Sequence, residues 1–376
     1  MPFKSDIIII GAGVVGLGIA AQVASQDRVV YVLEEKERFG QETSSHNSGV
    51  IHSGIYYPEG SLKAKTCVEG NRLLYELCER HRIGYRKLGK LILATSDEEI
   101  GQLQKLLDRG CRNGTEGLQI LSRAEMKRLE PNVEGVAALL SPSTGIIDAY
   151  ALMEYFLARG KGNGAQIAYR SKVAGIDKVA DGYKVTVEEG YTGRFSFTTR
   201  VLINCAGLYC DKMAELAGID IAKAGYKIHY CKGEYFSVGG GKNKLVKRLI
   251  YPVPLPKVTG LGVHVTLDLE GKMRLGPSVE YVGSIDYSVD NRHKQSFYTS
   301  AKRLLPLIEY EDLEPEMAGI RPKLQGPGED VKDFVIREES DRDLPGFINL
   351  IGIESPGLTA SPAIARYVAD LVAGTL

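Results

Sequence analysis

The chain has 376 residues, 44% of them hydrophobic, enough for two domains or one large one around a real core. Lysine plus arginine (47) equal aspartate plus glutamate (47), and a formal net charge of zero argues against a general nucleic-acid binder, which carries a basic excess. No apolar run is long enough to cross a bilayer, Ile7-Ile-Ile-Ile10 is too short for a secretory signal, and the cysteines (67, 78, 111, 205, 210, 231) show no Cys-x-x-Cys pair or zinc spacing, so the expectation is a cytoplasmic protein with reduced thiols and no metal.

Asp6-Ile-Ile-Ile-Ile10 is a short continuous apolar run, as expected of a strand buried on both faces of a parallel sheet. Gly11-Ala-Gly-Val-Val-Gly16 follows, then a helix-compatible stretch over 17–25, then Val29-Val-Tyr-Val-Leu33 with Glu34 at its carboxyl end. A lone glycine triplet says little; strand, triplet, helix, strand and acid in this order form a dinucleotide-binding unit. Gly11 permits the tight turn, Gly13 lets the backbone approach a pyrophosphate, and Gly16 lets the helix pack closely on the sheet. Val14 and Val15 open the helix, whose N-terminal N–H groups face the phosphates. Glu34, with Glu35 beside it, can accept hydrogen bonds from ribose hydroxyls and would repel a 2′-phosphate, which disfavours NADP.

The segment 43–57, Thr-Ser-Ser-His-Asn-Ser-Gly-Val-Ile-His-Ser-Gly-Ile-Tyr-Tyr, comes next. Its small polar residues and glycines let the backbone approach a flat cofactor. Its histidines stand where a redox centre could use a base. Ser96-Asp-Glu-Glu99 and Ser122-Arg-Ala-Glu125 carry the pattern of helix-starting capping boxes, and Asp148 caps a helix running from 149 towards 161 and ending at Gly162 or Gly164. Tyr183-Lys-Val-Thr-Val187 and Phe195-Ser-Phe-Thr-Thr199 alternate like a hairpin, and Val201-Leu-Ile-Asn-Cys-Ala-Gly207 reads as a buried strand with Cys205 in the core. The text between about 225 and 290 is strand-like, with turns at Gly239-Gly-Gly241 and Glu270-Gly271, and 291–308 reads as a helix. Phe347-Ile-Asn-Leu-Ile-Gly352 is one more buried strand, followed by Glu354-Ser-Pro-Gly-Leu-Thr359 and a final helix.

Nucleotide-type elements thus recur at the start, middle and end, with antiparallel text between them. The prediction is an α/β fold of two discontinuous domains with the active site at their interface. Residues 1–85, 140–220 and 320–376 form a Rossmann-like dinucleotide-binding domain. Residues 86–139 and 221–319 form a substrate domain, a mixed, mainly antiparallel β-sheet with helices.

Three signatures stand together: the glycine triplet with Glu34, Val201-Leu-Ile-Asn-Cys-Ala-Gly-Leu-Tyr209, and Gly352-Ile-Glu-Ser-Pro-Gly-Leu-Thr-Ala-Ser-Pro362. Over nearly the whole chain they resemble the D-amino-acid oxidase/glycerol-3-phosphate dehydrogenase superfamily of FAD enzymes. Within it, Ser44-Ser-His-Asn-Ser-Gly-Val-Ile-His-Ser-Gly-Ile-Tyr-Tyr-Pro58, Gly262-Val-His-Val-Thr266, Gly319-Ile-Arg-Pro-Lys323 and Gly352-Ile-Glu-Ser-Pro-Gly-Leu-Thr359 look like L-2-hydroxyglutarate dehydrogenases or oxidases.

The resemblance implies an FAD-binding domain with the pyrophosphate on the first helix. Backbone N–H groups around Pro356, Gly357, Leu358 and Thr359 would stabilise the pyrimidine side of the reduced flavin. Ser44, Ser45, Ser48 and Gly49 would shape the flavin pocket, and Ala206, Gly207 and Leu208 would line the phosphate and ribitol. Val173 is either a backbone contact to adenine or an ordinary core valine. His46 aligns with the histidine that attaches FAD covalently in dimethylglycine-type relatives, but its two following residues differ, so FAD is expected to be non-covalent and His46 a polar contact.

The implied reaction is oxidation of L-2-hydroxyglutarate to 2-oxoglutarate, with hydride transfer to flavin N5 and loss of the hydroxyl proton to a base. Arg321 matches the arginine that clamps the α-carboxylate, a task suited to a planar fork. Tyr56, Tyr251, Arg274 and Lys323 are candidates for the second carboxylate. His264 is the favoured base and His52 orients the hydroxyl; an exposed strand histidine would look the same at 264. The competing reading is an amine oxidase of the same superfamily acting on glycine, sarcosine or another amino acid, which Arg321 would serve equally but which needs no histidine base. A flavin-binding non-catalytic or tRNA-modifying protein is the third. The electron acceptor, a quinone, oxygen or a carrier protein, stays open, with at most peripheral membrane contact.

Overall fold

The N-terminal apolar run forms the strand Phe3–Ile10, and its alternate residues feed two different cores: Ile7 and Ile9 join one cluster, Ile8 and Ile10 another. That is the fate of a strand covered on both faces. The computed structural model describes residues 3–189, 193–254 and 262–376. Among them, Phe3–Ile10 lies in an eight-stranded sheet, parallel to Val30–Leu33 on one side and to Gly193–Asn204 on the other. Leu344–Ile351 joins in parallel beyond Gly193–Asn204, and Gln166–Ala168 beyond Val30–Leu33.

The two strands expected at 195–199 and 201–207 are one 12-residue strand, Gly193–Asn204. Its first half pairs antiparallel with Gly182–Glu189, and its last residues, Leu202 to Asn204, pair in parallel with Phe347 to Asn349. Because Ser5 stays in register with Thr199 and Ile7 with Val201, the ladder never breaks at Arg200.

Among the described residues, four helices pack on one another beside this sheet, and the short helix Cys210–Leu216 lies against its strands Ser171–Val179 and Leu344–Ile351. Val14–Val23 lies against Ala149–Gly162 and Gly357–Thr375, and Leu62–His81 against Gly357–Thr375. The helix Leu62–His81 lies in a stretch for which the sequence reading named no element. Ser61 Oγ accepts from the Ala64 N–H at 3.1 Å, and Asp333 accepts from the N–H groups of Leu62 and Lys63 at 2.6 and 2.9 Å, so its first turn is tied to a distant loop. A Cβ on Gly70 would stand 2.2 Å from the Thr359 carbonyl oxygen, so this glycine sets how closely the two helices cross.

Asp148 caps Ala149–Gly162 and Ser122 forms its capping box. At Ser96 the box is not formed: Glu99 accepts instead from the backbone N–H of Thr95 at 2.7 Å. The helix expected over 291–308 is a 3-10 turn, Asn291–His293, running into Lys294–Lys302. It stops ahead of Pro306, which offers no N–H and disfavours helical backbone in its predecessor.

A nine-stranded, mainly antiparallel sheet carries the third core cluster. Its longest pairing joins His229–Val238 to Leu313–Lys323, and Lys90–Ala94 runs between Leu249–Pro252 and Ala137–Ser141. Ala137–Ser141 and Leu313–Lys323 each lie wholly in this sheet, across the divisions drawn at 140 and 320. No helix among the described residues is long and apolar enough to cross a membrane.

Candidate active site

A cavity of about 1140 Å³ is lined by residues of both large sheets, from Gly11 and Glu34 at one end to Tyr251 and His264 at the other. Ordinary small-molecule sites occupy roughly 300–1,000 Å³. The space therefore suits a dinucleotide together with a small second molecule.

The glycine triplet shapes the first end. Gly11 has φ +101°, and a Cβ there would meet the Cys205 carbonyl oxygen at 2.6 Å. A Cβ on Gly16 would stand 2.0 Å from the Gly11 oxygen, so the helix can approach the turn only without one. Glu34 Oε2 accepts from the Ala12 N–H at 2.8 Å and Oε1 from the Lys36 N–H at 2.9 Å, which ties the turn to the second strand. Burial raises the Glu34 pKa, against the pull of these two hydrogen bonds. Val14, Val15, Glu35, Val173, Ala206 and Gly207 also line this end. Cys205, expected in the core, is half-buried on the cavity wall.

The segment 43–57 divides by side-chain direction. Ser44 Oγ accepts from the Val14 N–H at 3.0 Å, and Ser48 is bonded to the Tyr235 hydroxyl; both serines line the cavity. His46 lines it too, stacked on Tyr287 at 4.1 Å between centroids, with Nδ1 3.0 Å from both Ser45 Oγ and the Glu42 carbonyl oxygen.

Four expected contacts lie off the wall. Ser45 is exposed and bonds to Glu42 and His46. Gly49, at φ +64°, packs against Ile147 rather than the cavity. Thr359 is fully buried: its hydroxyl accepts from the His52 N–H at 2.9 Å and donates to the Val50 carbonyl, so it clamps the backbone that presents His52. Arg274 is held by Asp268 at 3.3 Å and Glu316 at 2.9 Å on its own sheet, which removes it as a carboxylate ligand.

The far end gathers Arg321, His52, His264, Tyr56, Tyr251 and Lys323 on one wall system, with Pro356, Gly357 and Leu358 beside them. Arg321 sits on Leu313–Lys323 and is locked from behind. Its Nε donates to the Cys231 carbonyl at 3.3 Å, and its Nη2 to those of Lys232 at 3.1 Å and Ser278 at 2.7 Å. Of the guanidinium's donors, the Nη1 pair is left for a ligand. Gly233 makes the room, since a Cβ there would stand 2.9 Å from Nη2.

His264 Nδ1 lies 2.9 Å from the Gly262 carbonyl oxygen, which fixes Nδ1 as the donor and presents Nε2 as an acceptor. Its ring stacks on Tyr251 at 3.7 Å. His52 Nε2 is 3.3 Å from Ser355 Oγ, and its Nδ1 has no hydrogen-bond partner among the described residues. Burial, with the Lys90 charge, pushes both imidazoles down to about 3, so both are neutral near pH 7.

Lys63, Glu354 and Lys90, which had no assigned role in the sequence, join Lys323 and Tyr56 at this end. Lys63 and Lys323 share Glu354, with Nζ–carboxylate distances of 3.0 and 2.8 Å, and all three are buried on the cavity wall. Two ammonium groups on one carboxylate leave a net positive charge. Opposing the effect of burial, the lysines hold the Glu354 carboxyl below its ordinary range. Tyr57 is bonded to Ser355, and Tyr56 offers a buried hydroxyl without a partner among the described residues. Lys90 heads a wholly buried strand behind Tyr56 and Tyr251. The one sequence signal for it was a lysine opening the run Lys90-Leu-Ile-Leu-Ala94.

The sequence model of a family described as FAD dependent oxidoreductase matches residues 6–371. The chain is 37% identical to the mitochondrial L-2-hydroxyglutarate dehydrogenase of Arabidopsis thaliana, across 98% of this chain and 83% of that protein. It is 29% identical to the L-2-hydroxyglutarate dehydrogenase of Escherichia coli strain K12, across 98% of this chain and 93% of that one. Among solved structures, the L-alpha-glycerophosphate oxidase of Mycoplasma pneumoniae with FAD bound is similar at a TM-score of 0.86 and 29% identity, covering 98% and 95% of the two chains. Glycine oxidase from Geobacillus kaustophilus shares the fold, with a TM-score of 0.78 at 21% identity over 100% and 96% of the chains.

Proposed function

The chain belongs to the FAD-dependent oxidoreductase family, with FAD as its cofactor, and from that premise we propose that it oxidises L-2-hydroxyglutarate to 2-oxoglutarate. The glycine cradle fits the cofactor: Gly11 and Gly16 bring backbone together where any Cβ would collide, and the start of Val14–Val23 opens onto the same cavity. When bound, FAD supplies the two-electron acceptor for oxidation at C2.

The chain's own residues do the rest. Arg321, immobilised through Nε and Nη2, turns its Nη1 hydrogens to the α-carboxylate. The doubly cationic pair around Glu354 and the unpartnered Tyr56 hydroxyl suit the second carboxylate. His264 takes the hydroxyl proton on Nε2, while His52 orients the hydroxyl. A neutral imidazole held by burial is a weak base in isolation. The incoming carboxylates favour the imidazolium, so its basicity rises once the acid is in place.

The observation that carries this reading is the His264 tautomer, whose Nε2 has no partner among the described residues and lies in the same cavity as Arg321. An amine substrate can lose its proton to water before it binds, whereas an alcohol needs such a base. Anaerobic L-2-hydroxyglutarate should bleach the flavin absorbance at about 450 nm. Bleaching by glycine or sarcosine in its place would overturn the proposal. Turnover also requires a further electron acceptor.

A further inference from the structure

Four lysines are buried among the described residues: Lys63, Lys90, Lys232 and Lys323. Three face carboxylates. Lys63 and Lys323 share Glu354, and Lys232 stands 3.1 Å from Asp286 and 3.6 Å from Glu234. Lys90, 1% exposed, makes no ion pair among the described residues. Its Nζ lies 4.5 Å from the ring centroid of Tyr56 and 4.7 Å from that of Tyr251, two rings that line the substrate end of the cavity.

Resting on the dicarboxylate reading above, we propose that Lys90 is where this site takes up a proton when its acid binds, the ligand's carboxylates supplying the counter-charge that the fold withholds. A buried ammonium without a counter-ion is costly, and aromatic faces compensate only part of that cost. Burial accordingly pushes Lys90 down to about 7.

The titratable groups around it come from every element packed there: Cys67 from Leu62–His81, His52 and Tyr56 from the segment after Val50–Ile51, Tyr251 from Leu249–Pro252, and His264. All are uncharged at neutral pH, because burial raises the thiol and both phenols and lowers both imidazoles to about 3. Among the described residues nothing balances the lysine. Two carboxylates entering the cavity raise its pKa, and a proton from solvent follows over the pH range between the free and bound values. Lys90 acts across the tyrosine rings without touching the ligand, so it is a positioning residue.

Calorimetric titration of the FAD-loaded protein with 2-oxoglutarate, in buffers of different ionisation heat, counts the protons. Uptake should be near zero at about pH 6 and approach about one per ligand at about pH 8.5. The dissociation constant should weaken about tenfold per pH unit above pH 7. Lys90→Met should abolish the uptake and flatten that profile. Lys90→Arg, permanently charged, should bind across the whole range without uptake. If neither variant folds, wild-type uptake centred above about pH 7 supports the lysine, since both imidazoles start from about 3, and its absence overturns the proposal. Wild-type binding without uptake at high pH, or uptake retained in Lys90→Met, overturns the role of Lys90. If L-2-hydroxyglutarate bleaches the flavin but uptake is absent, only the lysine assignment falls. If it does not bleach and 2-oxoglutarate does not bind, the substrate reading falls and this inference with it.

Discussion

At Arg321 and His264 the backbone sets what a side chain can do. Three carbonyls hold the guanidinium and leave it Nη1, and one carbonyl holds the imidazole and leaves it Nε2. Their residue types were legible in the sequence, because a dicarboxylic alcohol calls for a cation and a base. Their hydrogen bonds were not: the Arg321 partners lie up to 90 residues away, as at Cys231, and the His264 contact to Gly262, though local, depends on the ring being turned back onto its own backbone. His264→Gln removes the acceptor nitrogen and should slow anaerobic flavin reduction by L-2-hydroxyglutarate about 10²–10⁴-fold, the usual contribution of a general base. His52→Gln should slow it less. Stopped-flow reduction rates for the two variants test the assignment, and the opposite order would exchange the two roles. Arg274 shows the converse: its type fitted a carboxylate ligand, but Glu316 and Asp268 already hold it.

Helices and strands divide into those whose pattern is local and those whose reason is a neighbour. The strand Phe3–Ile10, its turn and the helix Val14–Val23 follow from contiguous residues. The helix Leu62–His81 carries Gly70 and Asn71 in mid-course, residues that read as interruptions. Each has a tertiary purpose. Gly70 admits the Thr359 backbone, and Asn71 Nδ2 donates to the carbonyls of His52 at 2.8 Å and Ser143 at 2.9 Å. Gly70→Val places carbon 2.2 Å from the Thr359 oxygen and so pushes Gly357–Thr375, and with it the Thr359 hydroxyl, away from the His52 backbone that this hydroxyl clamps. The expected cost is about 1–3 kcal/mol of stability with a loss of bound flavin. Thermal unfolding and the flavin-to-protein absorbance ratio check it, and an unchanged ratio would show that the crossing is not critical.

For the molecule as a whole, the cavity exists because two sheets meet, and its charge balance is set across the entire chain. Glu354 precedes the last helix, Lys63 begins another, and Lys323 ends a strand of the second sheet, yet the three form one buried cluster. Removing its anion strands two cations, so Glu354→Gln should cost about 3–5 kcal/mol. The pH dependence has a definite sign. The folded pKa of Glu354 lies below its ordinary 4.5, so its contribution is complete above that value and disappears as the pH falls through the folded one. Denaturant titrations near neutral and acid pH should therefore separate wild type from Glu354→Gln widely at neutral pH and narrowly in acid. An equal gap at both would refute the cluster's role. By itself the sequence determined the dinucleotide-binding unit and the α/β class, because those signals sit within a few neighbouring residues, and its resemblance to a family implied a cation and a base for the site. Only the tertiary structure decided which histidine nitrogen is free, which arginine is already taken and which buried lysine lacks a counter-ion. Each of those depends on burial and on how groups meet in space, whether the partner is near in sequence, as Gly262 is to His264, or remote, as Glu316 is from Arg274.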